Sequence, residues 1–533
     1  MAHRGDWGMS STGSTPSASR RAAVVVVAFL ALSVTLIAEA TSEYMLAPIQ
    51  SDMGLSVDET NRLALMPDTA GLIAVFLAGA LAVRLGRRTV LSLGALSFAA
   101  GSIIVALAPG VQVLIAGRIL CGLGGVILSV MGLSLINVTF TEPAQRARAF
   151  GMLGAVTPIV FIVSPTVSAL ICDSVGWRLV PAVWFAVALV TLGLALFAVP
   201  RFGTRPAGGE MFTPLLAGLM LTAVCTAAST AVDGGWLPVV ALAVAVICAV
   251  SLVMLLRRPA AASLDLRSLK APGALLALGA VFMALTVNIS FYVNLYVQYR
   301  YSLPLASVAL LLALPEIAGI LGSILFGQVA TRVGANRAAT IALALAAVLP
   351  VTLFFVSPTA PVWLVVLFAS LIGIPIAGAV GPLAENFLNL APSDGSDGAS
   401  AIQDAVTNVG FVLGGLAVGF LVFSGFQRSM TEQLIGHGVA PDRASQIATQ
   451  IRDGAVVAEL VDRAPPNESM LDEALLVEGS GLNIAQVQTL RLGAGLLMGA
   501  EALAAGLLVL SRRRQSQGAG GRGPRSLAQA RVG

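Results

Sequence analysis

The stretch GALAVRLGRR, Gly79 to Arg88, lies between two hydrophobic runs that are each long enough to cross a bilayer. A looser copy, GQVATRVGANR from Gly327 to Arg337, also separates two such runs. Each stretch predicts a short turn that closes a pair of membrane helices. Glycines let helix ends approach closely, and arginines hold a turn on the cytoplasmic side. Two such turns at corresponding places indicate two related halves.

The composition indicates a polytopic membrane protein. Of 533 residues, 57% are hydrophobic and only 11% are charged, and the mean hydropathy is +0.90. A soluble protein of this length could not cover its surface with so few charges. The net charge of +4 does not predict nucleic-acid binding, because the basic residues lie in loops beside the membrane.

The cysteines and histidines argue against an enzyme or a cofactor-binding protein. The four cysteines show no CxxC spacing, so neither a disulfide framework nor a metal site is expected. The two histidines, His3 and His437, lie outside the apolar runs. We therefore expect no metal, no cofactor and no nucleophile–base cluster.

Hydropathy and loop charge together predict fourteen membrane helices. If the amino terminus is cytoplasmic, 22 of the 31 lysines and arginines fall on the inside, and a miscount by one helix destroys this asymmetry. Both termini are therefore expected inside. The apolar runs lie at roughly 22–46, 63–83, 88–108, 112–138, 147–171, 178–199, 212–232, 236–256, 272–297, 304–329, 338–357, 362–389, 398–425 and 488–510.

These runs divide the chain into two six-helix bundles with an extra hairpin between them. Within the outer segment 426–487 we expect one or two short amphipathic helices, which form either a functional lid or a tolerated insertion. The predicted parts are a cytoplasmic tail (1–21), an N-terminal bundle (22–199), a linker with two extra helices (200–270), a C-terminal bundle (271–510) and a second cytoplasmic tail (511–533).

Several motifs resemble the major facilitator superfamily, and specifically its fourteen-helix drug:proton antiporter branch. The helix 4 pattern of that family appears as RILCGLGG, Arg118 to Gly125, and its helix 1 signature appears as Glu39, Thr41 and the tripeptide LAP at 46–48. Its helix 5 antiporter motif is degraded to SPTVSA at 164–169. The family's loop pattern Gly-x-Leu-Ala-Asp-Arg-x-Gly-Arg-Arg is matched at Gly79, Leu81, Ala82, Arg84, Gly86, Arg87 and Arg88.

One departure from the loop pattern concerns the gate. The acidic residue of the family motif is Val83 here, and the second copy has Thr331 at the same place. The resemblance implies that this acid belongs to a charge-relay latch on the inner gate. We therefore expect a less firmly latched inward-closed state in this chain.

Ionisable residues inside the apolar runs are the main functional signal. A charge at mid-bilayer costs about 2.5–3.5 kcal/mol on insertion scales, so such residues usually face a cavity. Seven acids against one base suit either proton carriage or a cationic substrate. The acids are Glu39, Glu43, Asp68, Glu316, Glu385, Asp404 and Glu501, and the base is Arg118.

The resemblance assigns coupling of proton and substrate to some of these residues. By position, Glu39, Asp68, Glu316 and Asp404 match the functional acids of quaternary-cation exporters, and Arg118 joins them. We list Glu43, Glu385 and Glu501 as additional candidates.

Polar and aromatic residues of two further helices are predicted to line a cavity. Phe291 and Tyr292 can stack on an aromatic cation. The amides can equally serve helix–helix hydrogen bonds. The predicted cavity residues are Asn288, Tyr292, Asn294, Gln298, Gln403 and Asn408.

Together these features predict an all-α major facilitator fold in a bacterial inner membrane. The expected function is proton-coupled export of hydrophobic, cationic compounds by a monomer, with a small molecule, protons and the lipid bilayer as partners. The alternatives are a transporter of the same fold for a lipid, an amino acid or a secondary metabolite, and a membrane scaffold or sensor acting through 426–487.

Overall fold

A computed structural model describes residues 18–139, 143–199, 211–230, 236–256, 267–301, 303–390, 396–452, 475 and 480–520. Within these ranges the regular elements are helices. They are α1 (Ala18–Met53), α2 (Val57–Leu85), α3 (Arg87–Ala106), α4 (Val111–Thr139), α5 (Pro143–Ser174), α6 (Val180–Ala198), α7 (Phe212–Thr230), α8 (Leu237–Leu256), α9 (Ala274–Ala284), α10 (Ile289–Tyr301), α11 (Leu305–Val333), α12 (Ala335–Val348), α13 (Val362–Leu388), α14 (Ser396–Gly436), α15 (Pro441–Arg452) and α16 (Gly481–Gly520).

The all-helical membrane fold predicted from the sequence is confirmed. In the described residues, thirteen helical segments are long and apolar enough to cross a membrane, with α9 and α10 counted as one segment. Helix α5 corresponds to the remaining predicted run, and Ile159–Ser174 is its described apolar part. Large apolar side chains such as Val239, Leu242 and Ile247 of α8 are more than half exposed, as expected of a surface that faces lipid.

Two stretches differ from the sequence prediction. The ninth run, expected as one helix, is interrupted between Ala284 and Ile289. The outer segment 426–487 contains less loop than predicted, because α14 continues to Gly436 and α16 already begins at Gly481. The amphipathic helix expected there is α15, which buries Ala444, Ile447 and Ala448 against α14.

Close backbone approach holds the first half together. Helices α3 and α4 pack along glycines, and a Cβ atom on Gly101 would lie 2.7 Å from the backbone nitrogen of Cys121. A Cβ on Gly124 would lie 2.5 Å from the nitrogen of Phe98. Small residues are what brings helices together in lipid, where no hydrophobic force acts between them.

The two halves, α1–α6 and α9–α16 without α15, meet through two helix pairs. Helix α2 packs on α14, and α5 packs on α11. The extra hairpin α7–α8 packs beside the contact between α2 and α14, because α7 touches both of these helices. There, Leu72, Cys225 and Val412 are buried together, and Thr222 donates a hydrogen bond to the Thr69 carbonyl at 3.1 Å.

A polar contact joins the halves at the ends of α5 and α11 that the loop charges place outside. The Asp173 carboxylate accepts a hydrogen bond from the backbone nitrogen of Ala306 at 3.1 Å, in the first turn of α11. The flanking residue Pro304 supplies no side-chain cap to this helix. Asp173 of one half therefore caps a helix of the other half.

Replacing Asp173 with alanine should weaken this closed contact. A side-chain cap contributes about 1 kcal/mol, so the closed population should fall about fivefold relative to the open one. The measurement is the distance distribution between spin labels at Val175 and Ser307, which are both exposed. The matched control is Asp442→Ala, an exposed acid in the first turn of α15. An unchanged distribution in the Asp173 variant would show that the cap does not hold the halves together.

A second polar contact lies within the first half, at the same outer side. Asp52, just after the first membrane span, accepts hydrogen bonds from the Arg178 guanidinium and from Nε1 of Trp177. The Arg178 bond, followed by the Trp177 bond, holds the pKa of Asp52 below its ordinary value of 3.8. The stabilisation is therefore present above that value, and it is lost only as pH falls through the lowered pKa. Moderate acidification therefore leaves this contact charged.

Candidate functional site

A cavity lies between α1, α2 and α4 of the first half and α10 and α14 of the second. Its volume is about 140 Å³, which is enough for several water molecules. Most of its wall is apolar. The lining residues are Thr35, Ala38, Glu39, Ser42, Leu46, Ala64, Leu65, Pro67, Asp68, Phe98, Arg118, Cys121, Gly122, Gly125, Val126, Thr286, Asn288, Phe291, Tyr292, Phe411 and Gly415.

Two of the predicted acids share this cavity. Glu39 of α1 is exposed, and Asp68 of α2 is partly exposed. Asp68 follows Pro67, which lies inside α2 and removes one helical hydrogen bond. Gly122 of α4 packs on this point so closely that a Cβ would lie 2.1 Å from the Pro67 carbonyl oxygen. Position 122 therefore accepts only glycine without a backbone shift.

The predicted base lies beside them and is held by neighbouring side chains. Nη1 of Arg118 donates to Oγ of Ser42 at 2.9 Å, and the guanidinium carbon lies 5.8 Å from the Trp184 ring centre. Trp184 in turn donates from Nε1 to Oγ1 of Thr41 at 3.0 Å. In the described part of the chain, no hydrogen bond or ion pair joins Arg118 to Asp68. The cavity thus contains two acids and one base.

The opposite wall is built around the interruption between α9 and α10. Asn288 caps α10, because its Oδ1 accepts a hydrogen bond from the Phe291 nitrogen at 3.2 Å. A Cβ on Gly414 of α14 would lie 2.2 Å from the Thr286 carbonyl oxygen. Non-helical backbone at membrane depth is tolerated where protein covers it or where it lines a cavity, and both conditions hold for this segment.

The other predicted polar residues lie elsewhere. Asn294 and Gln298 are buried within the second half, where Nε2 of Gln298 donates to Oδ1 of Asn294 at 2.8 Å. Gln403 and Asn408 are partly exposed on α14, apart from the cavity lining. Of the six predicted cavity residues, Asn288 and Tyr292 are in the lining.

The remaining predicted acids are spread over the second half. Glu316 is partly buried in α11, Glu385 is exposed near the end of α13, and Glu501 is 1% exposed in α16. None of these three is in the cavity lining. The side chains of Glu43 and Asp404 lie outside the described part of the chain.

Glu316 and Asp68 nevertheless occupy equivalent places in a structural repeat. Helices α2 and α11 are both 29 residues long, and each has a proline ten residues after its first residue, directly followed by the acid. Both helices end at a glycine, Gly86 or Gly334, with nearly the same backbone angles. The two halves therefore carry the same proline–acid pair at the same position within equivalent helices.

The two glycine–arginine turns adopt one conformation. Gly86 has φ 84° and ψ 146°, and Gly334 has φ 87° and ψ 151°, a region that side chains disfavour. Each glycine donates its backbone N–H to the carbonyl four residues earlier, and Nε of Arg87 donates to Oγ of Ser134 at 2.8 Å. Arg84 and Arg332 are exposed, and Arg88 is partly exposed.

The sequence predicts that the glycines of each turn let helix ends approach closely, and no such close approach is seen at Gly79, Gly327 or Gly334. A Cβ on Gly79 or on Gly327 would meet no described atom within 4 Å. The turn instead depends on the glycine that ends each helix, because that residue needs a positive φ.

Sequence reasoning missed several residues of the site. Ser42 follows Glu39 by three positions, so helical spacing places both on one face and could have identified it. Trp184 of α6, Phe411 of α14 and Thr286 of the α9–α10 interruption lie far from α1 in the chain, and no local signal indicates them.

These features define a class of protein. Two related helical halves, with a cavity between them that holds charged residues, are the plan of a secondary transporter. The structure is similar to one described as "Structural insights into substrate recognition in proton dependent oligopeptide transporters", with a TM-score of 0.59, 14% identity, and coverage of 92% of this chain and 99% of that one. At that identity the likeness concerns the fold.

Sequence comparison identifies the family. The model of the Major Facilitator Superfamily matches residues 28–415, and the chain belongs to this superfamily. It is a multi-pass membrane transporter of small molecules and not an enzyme. The multidrug efflux pump LfrA of Mycolicibacterium smegmatis is 26% identical, over 88% of this chain and 94% of LfrA. The methylenomycin A resistance protein of Streptomyces coelicolor is 25% identical, over 66% of this chain and 75% of that protein.

Proposed function

We propose that this transporter is a proton-coupled antiporter that exports hydrophobic, cationic compounds by alternating access. The observation that carries the proposal is the cavity between the halves, in which the carboxyl groups of Glu39 and Asp68 stand in a mostly apolar wall that also contains Arg118. A carboxylate can hold either a proton or a cation. Competition for that carboxylate by itself couples the two fluxes.

The aromatic side chains of the cavity suit a cation with an apolar body. Phe291 and Tyr292 form an edge-to-face pair with ring centres 5.4 Å apart, and Phe98 and Phe411 add two further rings. Ring faces attract cations by about 0.5–2 kcal/mol, most strongly where water is excluded. Aromatic rings and carboxylates together favour a hydrophobic cation over a sugar.

The relatives support the direction of transport. One is named a multidrug efflux pump and another an antibiotic resistance protein. Both names describe removal of, or protection from, a toxic compound, and export achieves either.

The presence of Arg118 favours one alternative, a transporter of the same fold for an anionic substrate, and this alternative is included in the test. A guanidinium at the cavity wall can bind a carboxylate or a phosphate. A transporter of the same fold for an amino acid, a lipid or an anionic metabolite would use Arg118 directly. A scaffold or sensor acting through 426–487 has no use for the cavity.

The test is a substrate panel in proteoliposomes, with and without a pH gradient. The panel contains ethidium as an aromatic cation, chloramphenicol as a neutral compound, and an amino acid and a fatty acid as carriers of a carboxylate. Export of ethidium that rises with the gradient supports the proposal. Transport confined to the carboxylates would replace it with the alternative, and transport indifferent to the gradient would remove proton coupling.

We also propose that the protein is a monomer in the plasma membrane of a bacterium, with both termini in the cytoplasm. The loop charges support this orientation. Ser445 of α15 and Arg84 of the first turn are both exposed and then lie on opposite sides of the membrane.

Cysteine labelling in intact cells should separate these two positions. In a background lacking the four native cysteines, a membrane-impermeant maleimide should modify Ser445→Cys and leave Arg84→Cys unmodified. Permeabilised cells, in which both variants react, provide the control. Labelling of Arg84→Cys in sealed cells would overturn the helix count.

A further inference from the structure

Glu501 is a buried carboxyl that the cavity does not use. It is 1% exposed in α16, and its Oε2 has no hydrogen-bond partner among the described residues. It lies between two apolar clusters of the second half. Leu497 belongs to the cluster that contains Tyr292 and Tyr296, and Ala504 belongs to the cluster that contains Phe326 and Leu343.

The register of α16 against α9 and α10 gives the depth of Glu501. A Cβ on Gly279 would lie 3.3 Å from Leu507, and Gly493 faces Ile289 and Tyr292. The segments run antiparallel with the same rise per residue, so Glu501 lies at about the level of residues 282–285. The interruption between α9 and α10 begins there. On its other side, Thr286 and Asn288 line the substrate cavity.

No charged side chain is placed to neutralise Glu501 among the described residues. Helix α9 and the 3-10 helix Leu349–Phe355, which follows α12, contain no titratable residue. Asp404 of α14 has no described side chain. The side chains of Tyr299 of α10 and Asp397 of α14 are likewise not described. The other titratable groups of the elements packed on α16, and of α16 itself, lie about two or more helical turns along α16 from position 501, because Tyr292 contacts Gly493, Asn336 contacts Leu508 and Ser429 contacts Gln488. These groups are Arg337 of α12, Tyr292, Tyr296, Arg300 and Tyr301 of α10, Arg428 and Glu432 of α14, and Arg491, Arg512, Arg513 and Arg514 of α16.

We propose that Glu501 binds a transported proton, at a site separated from the substrate cavity by the α9–α10 interruption. This rests on the proposed antiport. Burial without a partner disfavours the carboxylate and favours the neutral acid, so Glu501 holds its proton in the conformation described. The only covalent bond that changes is the carboxyl O–H. Movement of the interrupted segment admits water from the cavity, and the proton passes to that water.

The arrangement adds a proton site that substrate does not reach. Substrate and proton compete at Glu39 and Asp68 in the cavity, and Glu501 holds a further proton behind the opposite wall. Because the same interrupted segment borders both sites, a change in one site alters access to the other. This is coupling by a shared structural element.

The first experiment needs no substrate. Infrared spectroscopy of the purified protein at neutral pH should show the C=O stretch of a protonated carboxyl, and Glu501→Gln should remove it. Glu385→Gln, at an exposed position, is the matched control and should leave the band unchanged. A band that persists in Glu501→Gln and shows no loss of amplitude overturns the proposal.

The second experiment separates proton coupling from substrate passage. Glu501→Gln should reduce ethidium export driven by a pH gradient by about 100-fold, a typical lower limit for losing a proton-transferring group. Exchange of external for internal ethidium, which requires no proton, should stay near the wild-type rate. Glu501→Asp, which restores a carboxyl, should recover gradient-driven export.

The outcomes are distinguishable from failure of the proposed function. If wild-type protein ignores the gradient, antiport fails, and the infrared result alone decides whether Glu501 binds a proton. If wild-type protein responds and Glu501→Gln responds equally, the Glu501 proposal is overturned. Loss of exchange together with gradient-driven export in a normally folded variant also overturns it, because the role would then be structural.

Discussion

Proton-driven export of ethidium should be lost when Asp68 is replaced by asparagine. Asparagine keeps the shape and the hydrogen-bonding capacity of the side chain but cannot cycle between charge states. The cavity would keep Glu39 as its described acid, opposed by Arg118. We expect a fall of at least about 100-fold in the export rate, and a roughly tenfold weaker affinity for ethidium from the loss of about 1.4 kcal/mol of attraction.

The equivalent change in the other half tests the repeat. Glu316 follows Pro315 as Asp68 follows Pro67, in a helix of the same length. If both halves use their proline–acid pair in the same way, Glu316→Gln should also abolish proton-driven export. The ethidium binding that remains should then lose the pH dependence that Glu316 contributes. Proton release measured with a pH dye in proteoliposomes, together with ethidium binding in detergent, provides both readouts.

Two results would contradict this prediction. Unimpaired ethidium export by the Asp68→Asn, Glu316→Gln double variant, at normal expression, would remove both acids from the mechanism. Loss of activity in the matched Glu385→Gln variant would show that any intramembrane carboxyl is needed for folding. Ethidium exchange separates these acids from Glu501, because Asp68→Asn should impair exchange and Glu501→Gln should not.

A single methyl group at Gly414 should disable the protein through its backbone. The Cβ atom of alanine would lie 2.2 Å from the Thr286 carbonyl oxygen, a distance that no rotation of a side chain relieves. Either α14 or the α9–α10 interruption must move, and overpacking of this kind costs about 1–3 kcal/mol. We expect a lower unfolding temperature in detergent. The same strain acts on the equilibrium between transport conformations, so we expect at least about a fivefold loss of ethidium export, because 1 kcal/mol is a factor of about five.

A second glycine provides the control for helix propensity and expression. Gly499 of α16 lies within a membrane helix, and a Cβ there would meet no described atom within 4 Å. Gly499→Ala should therefore keep wild-type export and gain slightly in stability, since alanine favours a helix over glycine by about 1 kcal/mol. Equal behaviour of the two variants would show that α14 does not pack on the interruption as described.

Local patterns in the sequence already indicated much of the fold. Long apolar runs predict membrane helices because lipid cannot satisfy an open backbone, and this holds for any neighbours. The ninth run was the exception. Its interruption has no proline, and its polar residues Thr286 and Asn288 were not recognised as a helix break. The interruption persists because Gly410 and Gly414 of a distant helix cover the freed backbone.

The candidate site was only partly visible from the sequence. Glu39, Asp68 and Arg118 were identified as intramembrane charges, and they lie in one cavity. Glu316 and Glu501 had the same signal and lie elsewhere. Hydropathy shows that a helix contains a charged residue. It gives no information about which neighbouring helix or cavity that side chain faces.

The sequence by itself determined that this chain crosses the membrane many times, that it has two related halves, and that it retains acids where they are costly. Those properties depend on composition, spacing and turn chemistry, which act within a few residues. Only the tertiary structure decided which acids share a cavity, what holds Arg118 there, and that Glu501 lies behind the α9–α10 interruption. The rotation and depth of each helix are set by contacts between residues far apart in the chain, where glycine permits backbones to touch.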